Sequence, residues 1–297
     1  MLDKYRNHLF IFLAGLSFSG ISIFSAILSK NKVDLFTQVF GRMFIACIFV
    51  LIISLLFRKK LQIEKTSIPY IMINGVLFLF GYTTFSLSIF FGASIAKAIV
   101  IVYAYPIYAV FLAYLLLKEQ PSIKQILAVI VSFVGLFFLL EVWSIKNLSQ
   151  ISIGDFFALI NGLCYASLII WGVKIRRTIK ISPFNLLFFS LITALPLVVV
   201  SGIILNFLNI PLFYPQFNFS ALTSNWLPLA CLGIFGSGLS YVFLYLGSPK
   251  LKPLTTSILL LSEPIVVYFY SALFMGQPLS IWGIIGMFSI MISVLLT

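Results

Sequence analysis

Two ionisable side chains, Glu263 and Arg42, lie deep within long apolar stretches of the sequence. A charged group inside a bilayer is costly, so such residues are candidates for function. Glu263 precedes Pro264, which has no amide N–H and leaves a carbonyl oxygen free in the preceding turn. Its carboxylate could titrate a proton or bind a substrate amine, or it could form only a structural hydrogen bond between helices.

Arg42 also allows two interpretations. Its guanidinium could bind a substrate carboxylate through two N–H groups, or it could pair with a carbonyl or with Glu263 and only hold helices together. Aromatic and polar residues of other apolar stretches could line the same site, because small-molecule sites are mostly apolar with a few placed polar groups. The candidate substrate-binding residues are Arg42, Tyr82, Tyr103, Pro106, Asn161, Tyr165, Tyr241, Glu263 and Pro264.

The remaining ionisable residues near apolar stretches lie at their ends, where structural roles are expected. Lys97 is expected to extend to the lipid headgroups, Asp155 to cap a helix N-terminus and His8 to lie at the membrane surface. The three cysteines are far apart and form no CxxC pair. Neither a metal site nor a redox pair is therefore predicted, and no cofactor is expected.

The composition indicates a membrane protein. The chain is 62% hydrophobic and only 9% charged, whereas in a soluble domain about a quarter of the residues are charged. The net charge of +12 does not indicate nucleic acid as a partner, because the basic residues lie in short clusters between apolar stretches. The expected partners are membrane lipid and a small-molecule substrate.

Ten apolar stretches are long enough to cross a bilayer, which takes about 20 helical residues. They fall near 8–28, 35–57, 68–90, 94–117, 122–141, 152–173, 183–207, 226–247, 253–275 and 280–297. If the N-terminus is cytoplasmic, 14 of the 19 basic residues lie in cytoplasmic segments and 4 in external segments. This bias predicts that both termini are cytoplasmic, in what is expected to be the plasma membrane.

The two halves of the sequence resemble each other. A shift of 158 residues aligns Gly75 with Gly233 and Pro106 with Pro264, and a shift of 147 aligns Gly15 with Gly162. Each half holds five stretches, so the second half must enter the membrane upside down. The sequence therefore predicts an all-α integral membrane protein of ten transmembrane helices in two inverted five-helix repeats, 1–148 and 149–297. Inverted repeats are the plan of many secondary transporters.

Several short patterns, in this order and spacing, resemble the EamA family of the drug/metabolite transporter superfamily over nearly the whole chain. They are Arg42-Met43-Phe44-Ile45-Ala46, Ser94-Ile95-Ala96 twelve residues before Pro106, Gly154-Asp155, Gly233 with Tyr241, and Ser262-Glu263-Pro264. One departure concerns the family's Gly-Glu pair after the fourth and ninth helices, which reads Lys118-Glu119 and Gly276-Gln277 here. The resemblance implies a ten-helix bundle whose cavity is lined by helices one to four and six to nine.

The resulting functional hypothesis is a secondary transporter that moves a small metabolite by alternating access. An amino acid or a related compound is one candidate substrate, and proton coupling through Glu263 is a further hypothesis. The sequence contains no Walker-type phosphate-binding loop, so direct use of ATP is not predicted. An enzyme is not predicted, because the single histidine is peripheral and no HExxH or GxSxG motif occurs. The alternative is a membrane subunit or receptor that transports nothing.

Overall fold

The computed structural model describes residues 2–145, 150–179, 181–208, 223–274 and 279–296, and over these ranges the chain is helical without a strand. The helices are α1 (Leu2–Lys30), α2 (Leu35–Leu56), α3 (Ile68–Phe90), α4 (Ile95–Tyr103), α5 (Tyr105–Leu117), α6 (Ile123–Leu139), α7 (Ile153–Thr178), α8 (Pro183–Phe207), α9 (Trp226–Gly233), α10 (Ser240–Gly247), α11 (Pro253–Leu259), α12 (Ser262–Phe274) and α13 (Ile281–Leu295). A π-helical turn, Ile234–Leu239, joins α9 to α10.

Eight helical segments of the described chain have the length and hydropathy of membrane spans, and two apolar helices, Ile123–Leu139 and Ile281–Leu295, are shorter. All ten lie in stretches that the sequence marks as apolar. The predicted fourth and ninth stretches each consist of two helices, α4 with α5 and α11 with α12. The turn at 276–280, which includes Gly276-Gln277-Pro278, lies largely outside the described residues.

Short polar residues fix where several helices begin. The side chain of Asp34 accepts a hydrogen bond from the Thr37 amide ahead of α2. Before α6, Ser122 and Gln125 each bond the other's backbone amide. Ser152 and Asp155 form the same reciprocal box before α7. Such boxes satisfy amides that have no partner within the helix. Asp155 thus takes part in capping the helix, as predicted. The capping residue itself is Ser152, and Asp155 contributes from the third helical position.

Contacts between the two halves occur in pairs, in which the equivalent helices of each half pack on equivalent partners of the other. The helix α3 packs on α7 and α8, and the α9–π–α10 helix packs on α1 and α2. Likewise α4–α5 packs on α7, and α11–α12 packs on α1. The last helix of each half, α6 and α13, pack on each other. Most contacts between the halves therefore have a counterpart, and the α2–α8, α5–α11 and α6–α13 contacts each join equivalent helices.

Glycines permit two of these close approaches. A Cβ atom on Gly75 would lie 2.8 Å from the Cβ of Thr193 and 3.1 Å from the carbonyl oxygen of Ser190. A Cβ atom on Gly233 would lie 2.6 Å from the Cβ of Ile45 and 3.1 Å from the carbonyl oxygen of Arg42. The glycines that the 158-residue shift aligns thus serve equivalent helix–helix contacts, as small residues do in membrane bundles.

Candidate functional site

Glu263 lies at a helix break in the middle of the bundle. It is the second residue of α12, directly after the interruption that separates α12 from α11. Its side chain is buried, with 6% of its surface exposed. The Tyr103 hydroxyl donates to Oε1 of Glu263 at 3.2 Å, and the Tyr165 hydroxyl donates to Oε2 at 3.2 Å. The two tyrosines therefore hold both oxygens of one carboxylate.

Tyr103 owes its position to the break in the other divided helix. It is the last residue of α4, and Ala104 interrupts the helix before α5 begins at Tyr105. Pro106 occupies the first turn of α5, where its missing N–H leaves no hydrogen bond unmade. Pro264 takes the equivalent place in the first turn of α12. Both prolines thus mark the points where the helices break.

Aromatic rings connect Glu263 to Arg42. The rings of Tyr165 and Tyr105 are 4.8 Å apart, and Tyr165 also meets Phe18 at 5.8 Å. Phe18 meets Tyr241 at 4.9 Å, and Tyr241 meets Phe78 at 4.7 Å. All four contacts are edge-to-face arrangements, which aromatic pairs favour.

The same series of rings ends at Arg42. Phe78 meets Tyr82 at 5.6 Å, and the guanidinium carbon of Arg42 lies 3.5 Å from the centre of the Tyr82 ring. The Tyr82 hydroxyl is 3.2 Å from Oγ of Ser237 in the π turn. We call this series of rings, Tyr82, Phe78, Tyr241, Phe18, Tyr165, Tyr105 and Tyr103, the aromatic row. It separates a buried cation from a buried carboxylate.

Arg42 has unused hydrogen-bonding capacity. Its side chain is 7% exposed, and within the described chain its Nε has no hydrogen-bond partner and its guanidinium forms no ion pair with a carboxylate. The interpretation that Arg42 pairs with Glu263 therefore does not describe this structure. Stacking on Tyr82 stabilises the cation through the ring quadrupole but leaves the N–H groups free. The guanidinium can still accept an anionic group.

Asn161 is used differently from the other candidates. Its Nδ2 donates to the carbonyl oxygen of Gly81 at 2.7 Å and to Oγ1 of Thr84 at 3.0 Å. Both amide protons thus join α7 to α3, so Asn161 acts here as a helix–helix contact. Tyr241, which is 1% exposed, lies within the aromatic row. The structure therefore gathers eight of the nine sequence-predicted residues around the two breaks and the aromatic row.

The sequence-based set omitted three rings of the row, Phe18, Phe78 and Tyr105. For the phenylalanines no signal distinguishes them from the many other phenylalanines of the apolar stretches. Tyr105 did carry a signal, because the 158-residue shift places it over Glu263. Its hydroxyl donates to the Ser257 carbonyl oxygen at 3.0 Å, across the two divided helices.

In the described part of the chain, an ion pair lies at each end of the bundle, away from the aromatic row. We call the end where α1 begins the near end and the end where α1 finishes the far end. At the far end, Nζ of Lys97 lies 2.7 Å from Oδ2 of Asp155. Lys97 is therefore not directed to the lipid headgroups as the sequence suggested, because a buried carboxylate lies within its reach. At the near end, Arg177 pairs with Glu119.

A cavity of about 200 Å³ opens at the near end, beside the end of α5 and the start of α11. Glu119, Gln120, Gln125 and Lys252 supply its polar lining. It is separate from the residues of the aromatic row. The near-end cavity is therefore distinct from the site at Glu263.

A bundle of long apolar helices that buries a carboxylate and a guanidinium between its helices is the architecture of an integral, multi-pass membrane protein. The sequence profile of the EamA-like transporter family matches the chain twice, over residues 6–141 and 152–297. The chain therefore belongs to the EamA-like transporter family, as the sequence patterns predicted, and it is a membrane transporter rather than a recognisable enzyme.

Known relatives agree with this assignment. The chain is 26% identical over 302 residues to the uncharacterized transporter YyaM of Bacillus subtilis, which covers 97% of this chain and 93% of YyaM. It is 24% identical over 202 residues to an uncharacterized transporter of Archaeoglobus fulgidus, which covers 68% of this chain and 66% of that protein. A solved structure described only as a crystal structure of protein superposes with a TM-score of 0.76 at 17% identity, covering 98% of this chain and 96% of that chain. This similarity extends to the fold alone.

Proposed function

We propose that the protein is a secondary transporter that moves a small metabolite by alternating access between two inverted halves, residues 1–148 and 149–297. The matching of the family profile to each half supports this plan. It is also supported by the equivalent pairs of helix contacts between the halves and by the equivalent contacts of Gly75 and Gly233. On this plan the ten apolar helices all cross the membrane, with the near end in the cytoplasm of the cell and the far end outside.

The proposed substrate site lies along the aromatic row, between Glu263 and Arg42. The observation that carries this proposal is the buried guanidinium of Arg42, whose Nε has no partner within the described chain, at the other end of the row from a buried carboxylate. A substrate with an acidic group could bind Arg42, while an amine could bind Glu263. Such a pair of charges suits an amino acid or a related compound, with the aromatic rings contacting its apolar part.

Proton coupling through Glu263 is part of the proposal. The carboxylate is the ionisable acid of the aromatic row, and both of its oxygens are held by hydroxyl groups that can follow a change of its protonation. A carboxylate that alternates between protonated and ionised forms can exchange a proton for a substrate amine. Such relays are a common use of acidic residues in membrane spans.

The test is uptake of radiolabelled amino acids, supplied singly, into proteoliposomes that contain the purified protein. We expect uptake of at least one of them above that of empty liposomes, and we expect a pH gradient to drive it. Glu263→Gln and Arg42→Lys should lower this uptake strongly. The matched controls are Glu64→Gln and Arg58→Lys, two exposed positions in the connection before α3. Absence of flux for every compound would favour the alternative of a subunit or receptor that transports nothing.

A further inference from the structure

Both ion pairs described above join the same two elements. Lys97 lies in the first turn of α4 and Asp155 in the first turn of α7, and they meet at the far end. Glu119 follows α5 and Arg177 lies in the last turn of α7, and they meet at the near end. The divided helix α4–α5 and the helix α7 are therefore linked by opposite charges at each end of the bundle.

The far-end link is shielded from water. The Lys97 and Asp155 side chains are 11% and 12% exposed, and Nζ of Lys97 also donates to the carbonyl oxygen of Gln150 at 2.6 Å. Separating the two helices at this end would leave two charges without partners in a region of low polarity. Breaking a buried ion pair in this way is far more costly than breaking one on the surface.

The near-end link is more exposed, and its guanidinium also bonds the segment that precedes α11. Besides Glu119, the guanidinium of Arg177 donates to the carbonyl oxygens of Pro249 at 3.0 Å and Leu251 at 2.8 Å. Its planar group thus connects three segments at once, a geometry that guanidinium supports better than ammonium. The two links together hold α4–α5 against α7 along the whole length of their contact.

The same two elements carry the tyrosines that hold Glu263. Tyr103 ends α4, and Tyr165 lies in the middle of α7, between the two links. Because the links fix α4–α5 relative to α7, they also fix the distance between the two hydroxyl groups that contact the carboxylate. Lys97, Asp155, Glu119 and Arg177 are thus positioning residues for Glu263.

In the equivalent contact of the other half, the positions of α11–α12 and α1 that correspond to these four residues carry no pair of opposite charges. The shifts of 158 and 147 residues replace Lys97 with Thr255, Asp155 with His8, Glu119 with Gln277 and Arg177 with Lys30. None of these four replacements is an acid, so no ion pair can form between these positions at either end. Gln277 lies outside the described residues.

The contact of α1 with α12 also buries an unsatisfied polar group beside Glu263. Ser262 is 7% exposed, and its Oγ has no hydrogen-bond partner within the described chain. This hydroxyl lies against Gly15 of α1, where any side chain would collide with it. A buried hydroxyl without a partner lowers stability, so admission of water or substrate between α1 and α12 would supply the missing bond.

We propose that α4–α5 and α7 move as one rigid unit, and that Glu263 is reached by water and substrate through the contact between α1 and α12. This inference rests on the proposed transport function and deepens it by assigning the route to the site. The α1–α12 contact separates without breaking an ion pair. The α4–α5 contact with α7 stays closed and keeps the two tyrosine hydroxyls in place throughout.

The test measures the reaction of single cysteines with water-soluble N-ethylmaleimide in proteoliposomes. Cys47, Cys164 and Cys231 are first replaced by serine. Ser262→Cys reports on the α1–α12 contact, and Ala158→Cys reports on the contact of α7 with α4, where Ala158 is fully buried in a cluster with Ala93 and Ala98. Each rate is divided by the rate of the same cysteine in denatured protein, which removes differences in intrinsic reactivity.

We expect Ser262→Cys to react at least about tenfold faster than Ala158→Cys, which corresponds to about 1.4 kcal/mol in the opening equilibrium. Adding Lys97→Met should raise the rate of Ala158→Cys at least about tenfold. The matched control is Lys32→Met, an exposed lysine of the far end, which should leave that rate unchanged. Ala98→Cys replaces Ala158→Cys if the latter does not fold.

The proposal is overturned if the cysteine in the α7–α4 contact reacts as fast as Ser262→Cys while both ion pairs are intact. It is also overturned if Lys97→Met leaves the slow rate unchanged. The measurement requires no substrate, so it separates this inference from the transport function. A protein that carries none of the tested amino acids can still display the two rates, and an active transporter that opens between α4 and α7 instead would reverse them.

Discussion

The Tyr103 hydroxyl lies 3.2 Å from Oε1 of Glu263, and the two residues come from the two chain segments that separately match the family profile. Each lies at an interruption of a divided helix, Tyr103 at the end of α4 and Glu263 at the start of α12. The interruptions thus bring a donor of one half to an acceptor of the other. If one half moves relative to the other, this hydrogen bond must change, or Tyr103 and Glu263 must move together.

Replacement of Glu263 by glutamine should remove the pH dependence of uptake. The amide keeps the size of the carboxylate but cannot titrate, and it accepts hydrogen bonds at one atom instead of two. We expect uptake driven by a pH gradient to fall by about tenfold or more, since the loss of one charged contact to a substrate amine costs about 1.5–3 kcal/mol. Proteoliposome flux with and without the gradient measures this. Unchanged gradient-driven uptake would remove Glu263 from the coupling mechanism, provided that Glu64→Gln behaves as the unmodified protein.

Removal of the Tyr103 and Tyr165 hydroxyl groups should affect transport more than stability. Tyr103→Phe and Tyr165→Phe keep the rings, including the 4.8 Å contact of Tyr165 with Tyr105. Each substitution removes one hydroxyl donor to the carboxylate of Glu263. The flux and its pH profile should change for both variants, while the melting temperature stays close to that of Tyr114→Phe, an exposed control. A large fall of melting temperature with an unaltered profile would indicate a purely structural role.

Replacement of Arg42 by lysine should weaken binding of carboxylate-bearing substrates. Lysine keeps the charge but loses the planar group that stacks 3.5 Å from Tyr82 and presents paired N–H donors. We expect the substrate concentration at half-maximal uptake to rise about tenfold, as expected for the loss of about 1.4 kcal/mol of binding energy. The stabilisation of the purified protein by a saturating substrate should shrink in parallel. Equal affinities in the two proteins would argue that Arg42 serves only the packing of α2.

A covalent bond between α1 and α12 should stop transport, whereas one between α4 and α7 should not. A Cβ atom on Gly15 would lie 3.4 Å from the Cβ of Ser262, close to the roughly 3.5–4.5 Å of disulfides. The oxidised Gly15→Cys/Ser262→Cys protein should be inactive and regain uptake on reduction. The comparison is Lys97→Cys/Asp155→Cys bridged by a short bifunctional thiol reagent, in which the bridge replaces the ion pair. Activity in the first protein and inactivity in the second would contradict the proposed route.

The orientation can be read from thiol labelling in intact cells. Glu64→Cys lies in the connection between α2 and α3 at the near end, and Lys32→Cys lies between α1 and α2 at the far end. Because most basic residues belong to near-end segments, we expect a membrane-impermeant maleimide to label Lys32→Cys in intact cells and Glu64→Cys only after lysis. The reverse pattern would place the termini outside the cell.

The sequence was sufficient for the family and the helical class, because hydropathy and the short family patterns act locally along the chain. It was insufficient for contacts between helices. Nothing in the sequence around Asn161 indicates that its amide binds the carbonyl oxygen of Gly81 rather than a substrate. The partner of Lys97 lies 58 residues away on another helix, so its charge alone suggested the headgroups. In uniformly apolar helices, hydrophobic periodicity does not indicate which face packs inward.

The π turn Ile234–Leu239 makes the orientation of Tyr241 depend on the number of residues between Gly233 and Tyr241. A π turn accommodates an extra residue relative to a regular helix, and one residue corresponds to about 100° of rotation about the helix axis. Deleting one residue between these positions would therefore turn Tyr241 away from Phe18 and Phe78 while leaving composition and hydropathy nearly unchanged. In an alignment of relatives, the spacing between that glycine and tyrosine carries information on site geometry that residue identity does not.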